Sequence, residues 1–271
     1  SRQLRVFMKG APEMVAQFLA TVPPNYAAVF KKYTLEGDRV ISLAWKDLPE
    51  SVTEKDLKTM PRREIESGLV HCGFLLFDCP LKSSTRATVA QLEANDFAVK
   101  IITGDNPYTA CEIARRCGIV PADREVLVLG EDADGLLYWE SMEKQCREFA
   151  FEDSAESFRQ LAAGHTLTVV GSNLLHREEV LAHVVPFVTV FARMSPQQKG
   201  FIIRETKAQG THCLMCGDGT NDVAALKQAH VGVSIMSNTA LEEKIAQAEK
   251  LFDQKENEEE KSPLLNMMHR Q

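Results

Sequence analysis

Residues 215–222 read Met-Cys-Gly-Asp-Gly-Thr-Asn-Asp, and they decide the fold because they join an apolar run to a helical pattern. We predict a strand over residues 211–216, a helix over 221–229 and a last strand over 231–235. Asp218 and Asp222 lie beside glycines that let a ligand approach the backbone closely. Carboxylates at the carboxyl edge of a parallel sheet are suited to Mg²⁺. A polar turn without a chemical role is the alternative.

Two other phosphate-binding motifs are excluded at this turn. The dinucleotide pattern Gly-x-Gly-x-x-Gly needs a glycine at position 222, where Asp222 stands. A P-loop needs Gly-Lys followed by Ser or Thr, and the sequence contains no such run. The turn therefore favours a metal-assisted carboxylate site.

The wider segment, residues 98–235, alternates short apolar runs with helical patterns, which is typical of a parallel sheet covered by helices. Further strands are predicted over residues 98–103, 166–170 and 188–191. Helices are predicted from Pro107 to Gly118 and from Ser195 to Gly210, with capping residues at both ends. The sequence therefore predicts an α/β fold with five strands in one Rossmann-like sheet.

Two more strand ends carry residues suited to a phosphoryl group. Thr103-Gly104-Asp105 combines a hydroxyl, a flexible backbone and a helix N-terminus, which favours an anion. Arg193 and Lys199 follow the strand over residues 188–191. A hydroxyl, a lysine and a carboxylate pair at three strand ends are the groups expected to handle phosphoryl transfer to an acidic residue.

The composition describes an ordinary globular protein. The chain has 271 residues, 44% of them hydrophobic, and a net charge of −7, so there is no basic surplus for binding nucleic acid. Seven cysteines at irregular spacing indicate a reducing compartment. No apolar stretch has the length of a membrane helix, and the amino terminus has no signal peptide, so we expect a piece that starts within a longer protein.

Three segments together resemble the phosphorylation domain of P-type ATPases, within the haloacid-dehalogenase-like superfamily. These are Thr-Gly-Asp-Asn-Pro at residues 103–107, Phe-Ala-Arg-Met-Ser-Pro-Gln-Gln-Lys at 191–199 and Gly-Asp-Gly-Thr-Asn-Asp at 217–222. Lys-Gly-Ala-Pro-Glu at residues 9–13 is similar to the family's nucleotide-domain motif. The details are most similar to the fifth class, subgroup A, which the resemblance associates with the endoplasmic reticulum and transmembrane-helix extraction, and formerly with cation transport.

The resemblance implies roles for single residues. Asp218 would be a Mg²⁺ ligand with Asp222 as its close support, while Thr103, Gly104 and Asn221 would contact the phosphoryl group and Lys199 would neutralise its charge. Nucleotide contacts with ATP are implied for Lys9, Gly10, Arg39 and Asp105. For Arg193, two roles remain open: a nucleotide contact and an interdomain ion pair.

The resemblance also implies how the chain is divided. Residues 1–78 would be the C-terminal part of an α+β nucleotide-binding domain, residues 79–240 a haloacid-dehalogenase-like Rossmannoid domain, and residues 241–271 a charged tail with a net charge of −4 between positions 242 and 261. The implied partners are ATP, the actuator and membrane domains of the same polypeptide, and a transported substrate such as a transmembrane helix. The implied place is the cytosolic face of the endoplasmic reticulum membrane.

The nucleophile of the family lies in Asp-Lys-Thr-Gly-Thr, which this sequence does not contain. Asp132-Ala133-Asp134-Gly135 imitates a nucleophile loop, but it follows Thr103 where the nucleophile should precede it, so we predict a hairpin turn. The alternatives are a soluble phosphatase using Asp132 or Asp134 and a non-catalytic nucleotide-binding module.

Five further positions bear on the assignment. Cys79 and Lys82 stand where most P-type ATPases have an aspartate and an arginine, so the usual hinge contact is not assumed. Cys213 and Cys216 form a single Cys-x-x-Cys, which we interpret as small buried residues of a strand. His230 is interpreted as structural.

Overall fold

The structure is a computed structural model that describes residues 3–78, 80–174 and 177–235. The predictions for Cys79 and for the charged tail lie outside these residues. In the part of the chain described, every helix is too short or too polar to cross a bilayer.

The first unit is an antiparallel three-stranded sheet with short helices packed on it. Its order is β1-β2-β3, and a small core forms around Val15, Ala44 and Leu69. Gly37 supplies the turn before the middle strand, with φ at +90°. In chain order, the elements are β1 (Arg5–Gly10), α1 (Pro12–Val15), a 3₁₀ turn (Ala16–Phe18), α2 (Tyr26–Leu35), β2 (Arg39–Asp47), a 3₁₀ turn (Asp56–Lys58), α3 (Arg62–Glu66) and β3 (Val70–Phe77).

The second unit alternates strands and helices. Its first half comprises α4 (Thr85–Glu93), β4 (Ile101–Ile102), α5 (Pro107–Cys117), β5 (Val126–Glu131), β6 (Leu137–Ser141), β7 (Cys146–Ala150), α6 (Ala155–Gly164) and β8 (Thr166–Val170). Its second half comprises a 3₁₀ turn (Gly171–Leu174), α7 (Glu178–Ala182), a 3₁₀ turn (Val185–Phe187), β9 (Val188–Ala192), α8 (Pro196–Ala208), β10 (Leu214–Gly217), a 3₁₀ turn (Thr220–Asp222), α9 (Val223–Gln228) and β11 (Val231–Ser234).

The α/β class is confirmed, but the prediction of one five-stranded parallel sheet is wrong. In the described residues the main sheet has six strands in the order β4-β9-β8-β5-β6-β7, of which β4, β9, β8 and β5 are parallel, while β6 pairs antiparallel with both β5 and β7. Among the described residues, β10 pairs with β11 in a separate parallel sheet. Ile102 of β4 packs against the cluster of Ile203, Met215 and Ala225, so side chains rather than a backbone ladder join the two sheets.

Two predicted elements are shorter than expected. The strand over residues 98–103 is reduced to β4, because only Val190 and Phe191 of β9 face it. The helix over 221–229 begins with a 3₁₀ turn, in which the amide of Asp222 donates to the carbonyl of Gly219.

The helix caps follow the prediction. The side chain of Asn106 accepts a hydrogen bond from the amide of Tyr108 (2.9 Å), and Gly118 ends α5 with φ at +89°. The main core lies between the six-stranded sheet and its helices, and Trp139, Phe158 and Phe191 are its largest buried side chains. This core fixes the strand ends that carry the candidate site.

Candidate phosphoryl and nucleotide site

The loops that follow β4 and β9 are joined by backbone hydrogen bonds. The amide of Thr103 donates to the carbonyl of Phe191 (2.8 Å), and the amide of Met194 donates to that of Thr103 (2.9 Å). The amide of Arg193 donates to the carbonyl of Asp105 (3.0 Å), and Arg193 adopts the left-handed region with φ at +53°. A non-glycine residue in this region is uncommon and is held here by its surroundings.

Thr103 and Gly104 directly follow β4, in the first of these two loops. The hydroxyl of Thr103 accepts a hydrogen bond from the amide of Asp105 (3.1 Å), which turns the chain into α5. Thr103 is half-buried and Gly104 is exposed. The loop therefore exposes the backbone of Gly104, which has no side chain, next to the half-buried hydroxyl of Thr103.

Lys199 and Asp222 form the most buried ion pair near the strand ends. The Nζ of Lys199 donates to Oδ1 of Asp222 at 2.7 Å, and the two residues are only 8% and 7% exposed. Lys199 lies in the first turn of α8, after β9, while Asp222 follows β10. The pair therefore brings the carboxyl ends of β9 and β10 to one edge, as the sequence predicts.

Gly217 makes room for the side chain of Asp222. A Cβ at position 217 would lie 2.6 Å from Cβ and 2.7 Å from Oδ2 of Asp222. A Cβ atom does not approach non-bonded atoms this closely, so only glycine fits without a shift of the turn. The first glycine of the Gly-Asp-Gly motif is therefore explained by the packing of its last aspartate.

Asp218 and Asn221 lie on the solvent side of the same turn. Both are exposed, whereas Asp222 is buried and engaged by Lys199. The described residues contain no group of three His, Cys, Asp or Glu side chains placed to hold a metal. Mg²⁺ is usually held by one or two carboxylates with water and substrate phosphates, so Asp218 and Oδ2 of Asp222, the oxygen that Lys199 does not contact, have the chemistry that suits this ion.

The predicted nucleotide residues are distributed over both units. Lys9 and Gly10 end β1, where Lys9 is exposed and Gly10 lies against Val15. Arg39 begins β2, and its guanidinium donates to both carboxylate oxygens of Asp105 at 2.6 and 2.8 Å.

A second ion pair connects the units beside the first. Arg193 is paired with Glu13 of α1 and donates to the carbonyl of Gly104 (3.3 Å). Arg39, Asp105 and Arg193 line one cleft, which is open to solvent. Lys9 is not among the residues lining this cleft, so the structure brings together three of the five predicted nucleotide residues. We call the ion pairs Arg39–Asp105 and Arg193–Glu13 the interdomain clasp.

Further contacts between the units were not predicted from the sequence. The hydroxyl of Thr109 donates to the carbonyl of Asp38 (3.0 Å), and Arg116 donates to the carbonyl of Glu36. Lys31 donates to the side chain of Gln145 (2.7 Å) at the turn between β6 and β7. Among the residues that make contacts between the units and were not predicted, only Glu13 could have been found from a motif, because it is the last residue of the Lys-Gly-Ala-Pro-Glu segment.

The Asp132 turn is the hairpin that the sequence predicts. Oδ1 of Asp132 accepts hydrogen bonds from the amides of Asp134 (3.1 Å) and Leu136 (2.8 Å), and Gly135 has φ at +81°. The turn follows β5, which is separated from β4 by β8 and β9. Strands lie about 4.8 Å apart, so this turn is about 14 Å from Thr103 across the sheet.

Cys216 of β10 and Cys213, which directly precedes this strand, are not buried as predicted. Cys216 is exposed and Cys213 is half-buried, because β10 pairs only with β11 in the part of the chain described. His230 has a structural contact, since its Nδ1 accepts a hydrogen bond from the amide of Cys213 (3.2 Å). Lys82 lies in an exposed turn before α4.

The chain is similar in sequence to several known proteins. The model of the haloacid dehalogenase-like hydrolase family matches residues 122–230. The "Probable manganese-transporting ATPase PDR2" of Arabidopsis thaliana is 40% identical over 236 residues, which are 86% of this chain and 19% of that protein. The "Endoplasmic reticulum transmembrane helix translocase" of Schizosaccharomyces pombe is 37% identical over 252 residues, 92% of this chain and 21% of that protein.

The chain is a homologue of the P-type ATPases. The "Probable cation-transporting ATPase 13A5" of Mus musculus is also similar, at 32% identity over 88% of this chain and 21% of that protein. The resemblance drawn from the motifs and the haloacid-dehalogenase-like fold are thereby confirmed. The chain spans about one fifth of the length of these relatives.

Proposed function

We propose that this homologue of P-type ATPases supplies the phosphorylation site and part of the nucleotide site of an ATP-driven membrane protein. Residues 1–78 then form the C-terminal part of the nucleotide domain and residues 79–240 the phosphorylation domain. The observation that carries the proposal is the buried Lys199–Asp222 pair, which joins the ends of β9 and β10 beside the exposed carboxylate of Asp218.

Each strand end has a part in the proposed phosphoryl transfer. The terminal phosphoryl group of ATP passes to a carboxylate oxygen of an aspartate outside this chain, ADP leaves, and water later cleaves the acyl phosphate to inorganic phosphate. Thr103, Gly104 and Asn221 bind the oxygens of the phosphoryl group. Lys199 neutralises the charge that builds up on them.

Asp218 and Asp222 are the proposed holders of Mg²⁺. When bound, the ion neutralises negative charge on the phosphate oxygens. Lys199 and Gly217 fix the orientation of Asp222, so this carboxylate is placed before a ligand arrives. Asp218 is exposed and so is accessible to the hydrated ion.

The nucleotide is proposed to approach the cleft between the two units. Arg39, Asp105 and Arg193 line that cleft, while Lys9 and Gly10 lie at the end of β1. Because Arg39 and Arg193 are already paired with carboxylates, phosphates bind there by competing with Asp105 and Glu13. This assigns Arg193 both an interdomain ion pair and a nucleotide contact.

The transported substrate is proposed to bind outside this chain, in the membrane part of the same polypeptide. Three similar fungal proteins are named endoplasmic reticulum transmembrane helix translocases, which supports helix dislocation at that membrane. We propose the cytosolic face of the membrane as the place of this chain. Other relatives are named as manganese or cation transporters, so metal-cation transport is the second candidate.

Labelled ATP tests the assignment of the nucleophile. We expect the 271-residue chain, incubated with ATP and Mg²⁺, to form no hydroxylamine-sensitive phosphoprotein, because it lacks Asp-Lys-Thr-Gly-Thr. A phosphoprotein in this chain would contradict the proposal. Phosphatase turnover that is abolished by Asp132→Asn would instead support a soluble phosphatase.

A further inference from the structure

The side-chain amide of Gln198 is bound at both of its polar atoms. Its Oε1 accepts a hydrogen bond from the amide of Ser195 (2.9 Å), and the hydroxyl of Ser195 accepts one from the amide of Gln198 (3.3 Å). These two bonds form the capping box of α8. The Nε2 of Gln198 donates in addition to the carbonyl of Gly171 at 2.6 Å, which no capping box requires.

Gly171 lies against the loop that follows β9. A Cβ at position 171 would lie 2.1 Å from the carbonyl oxygen of Arg193 and 2.8 Å from Oε1 of Gln198. The ends of β8 and β9 and the start of α8 therefore meet at one point. The same β9 loop holds Thr103 and Asp105 through the amides of Met194 and Arg193.

The start of α8 decides where Lys199 points, because Lys199 directly follows Gln198. Its ammonium lies 2.7 Å from Asp222. The carboxamide of Gln198 accepts from Ser195 and donates to Gly171 with one side chain. Glutamate would keep the capping box but would face the carbonyl of Gly171 with a second acceptor.

We propose that Gln198 is a positioning residue, which holds the first turn of α8 against Gly171 so that the ammonium of Lys199 faces Asp222 and the phosphoryl group. The inference rests on the proposed function for its kinetic consequence. Its structural consequence is the placement of the Lys199 ammonium, which can be measured without any enzymatic activity.

Gln198→Glu tests the proposal, and Gln197→Glu is its matched control. Gln197 is exposed, and Gln197→Glu adds the same charge to the same helix end as Gln198→Glu does. In the complete ATPase, we expect Gln198→Glu to slow phosphoprotein formation about tenfold at saturating ATP, since small misplacements at a reacting centre have effects of this order or larger. The ATP concentration for half-maximal rate should stay unchanged, and Gln197→Glu should behave as the unsubstituted protein.

A spectroscopic measurement separates this inference from the proposed function. In the ¹⁵N-lysine-labelled chain, the Lys199 ammonium signal is assigned by its loss in Lys199→Arg. We expect its exchange with water to be about tenfold faster in Gln198→Glu than in Gln197→Glu, because a paired, buried ammonium is shielded from solvent. If the unsubstituted ATPase forms no phosphoprotein, the proposed function fails and this signal alone decides the role of Gln198.

Ser195→Ala distinguishes positioning from helix stability. This variant loses the hydroxyl of the cap but keeps the bond from Gln198 to Gly171. We expect its phosphorylation rate to stay within about twofold of the unsubstituted rate, as an N-cap change acts on helix stability. Equal rates and equal ammonium exchange in Gln198→Glu and Gln197→Glu would overturn the proposal, as would a tenfold loss of rate in Ser195→Ala.

Discussion

The Lys199–Asp222 pair and the interdomain clasp place the same kind of ion pair in opposite surroundings. The side chains of Lys199 and Asp222 are 11% and 10% exposed, whereas those of Arg39 and Asp105 are 55% and 23% exposed. Water screens the clasp, while the buried pair lies within packed side chains. The difference indicates that the proposed phosphoryl site is rigid and that the connection between the units is easily broken.

This difference suits the two proposed tasks. A phosphoryl site works best when its charges are placed before the reaction starts. A nucleotide, however, has to enter and leave between the units, so contacts there have to open. The predictions below change each side of this comparison, beginning with the largest effect.

Removing the buried cation should have the largest effect. Lys199→Met leaves the carboxylate of Asp222 buried without its partner, which typically costs about 3–5 kcal/mol. We expect the free energy of unfolding of the chain to fall by that amount in urea titrations. Lys227→Met, at an exposed position of α9, should change it by less than about 0.5 kcal/mol. Equal effects of the two variants would refute the importance of the buried pair.

Filling the space beside Asp222 should have the next largest effect. Gly217→Ala places a methyl group 2.6–2.8 Å from side-chain atoms of Asp222, and overpacking of this kind costs about 1–3 kcal/mol. Gly164→Ala is the control, because a Cβ there meets nothing within 4 Å and helical Gly→Ala changes are stabilising by about 0.5–1 kcal/mol. Thermal unfolding should therefore shift in opposite directions for the two variants.

Lys100 adds a third case to the comparison of the buried pair with the clasp. It is a largely desolvated lysine whose hydrogen-bond partners in the described residues are carbonyls. Its ammonium donates to the carbonyls of Val185 (3.1 Å) and Pro186 (2.7 Å), and desolvation lowers its pKa from 10.5 to about 8. Between these values the unfolded chain binds more protons than the folded chain, so this group makes stability rise with pH.

The expected size of that effect is modest. From pH 7 to pH 9, the free energy of unfolding should rise by about 1 kcal/mol more in the unsubstituted chain than in Lys100→Met. Urea titrations of both proteins at the two pH values measure this difference. Parallel pH profiles would show that Lys100 keeps an ordinary pKa in the folded chain.

Breaking the clasp should have the smallest effect on stability. A double-mutant cycle of Arg39→Ala and Asp105→Ala should give a coupling energy of about 0.2–1 kcal/mol, as found for exposed ion pairs. The coupling should weaken in about 1 M salt, because the screening length falls there to roughly 3 Å. A coupling that persists in high salt and exceeds about 3 kcal/mol would place the clasp in the same class as the buried pair.

Local signals in the sequence predict single elements well. Helix α5 follows from Asn106 and Pro107 at its start and Gly118 at its end, and β8 has the predicted bounds. The turn at Asp132 is also predicted, because Asp-Gly turns are a local preference. These features depend on residues close together in the chain.

Long-range pairing is predicted less well. The sequence does not reveal that β6 and β7 extend the main sheet through antiparallel pairs. Nor does it reveal that, in the described residues, β10 pairs with β11 and not with a strand of the main sheet. Strand order depends on contacts between distant residues, which apolar runs do not encode. The same holds for the site, where motifs identify Lys199 and Asp222 but not their direct contact, nor Glu13 and Gln198 as partners.

The most direct test compares Asp218→Asn with Asp134→Asn in the complete ATPase, with hydroxylamine-sensitive phosphoprotein formed from labelled ATP as the readout. Both changes remove one exposed carboxylate from a turn that follows a strand of the second unit. If the phosphoryl site lies at the ends of β4, β9 and β10, Asp218→Asn abolishes the phosphoprotein and Asp134→Asn leaves it intact. Loss of the phosphoprotein in Asp134→Asn with its retention in Asp218→Asn would contradict the account.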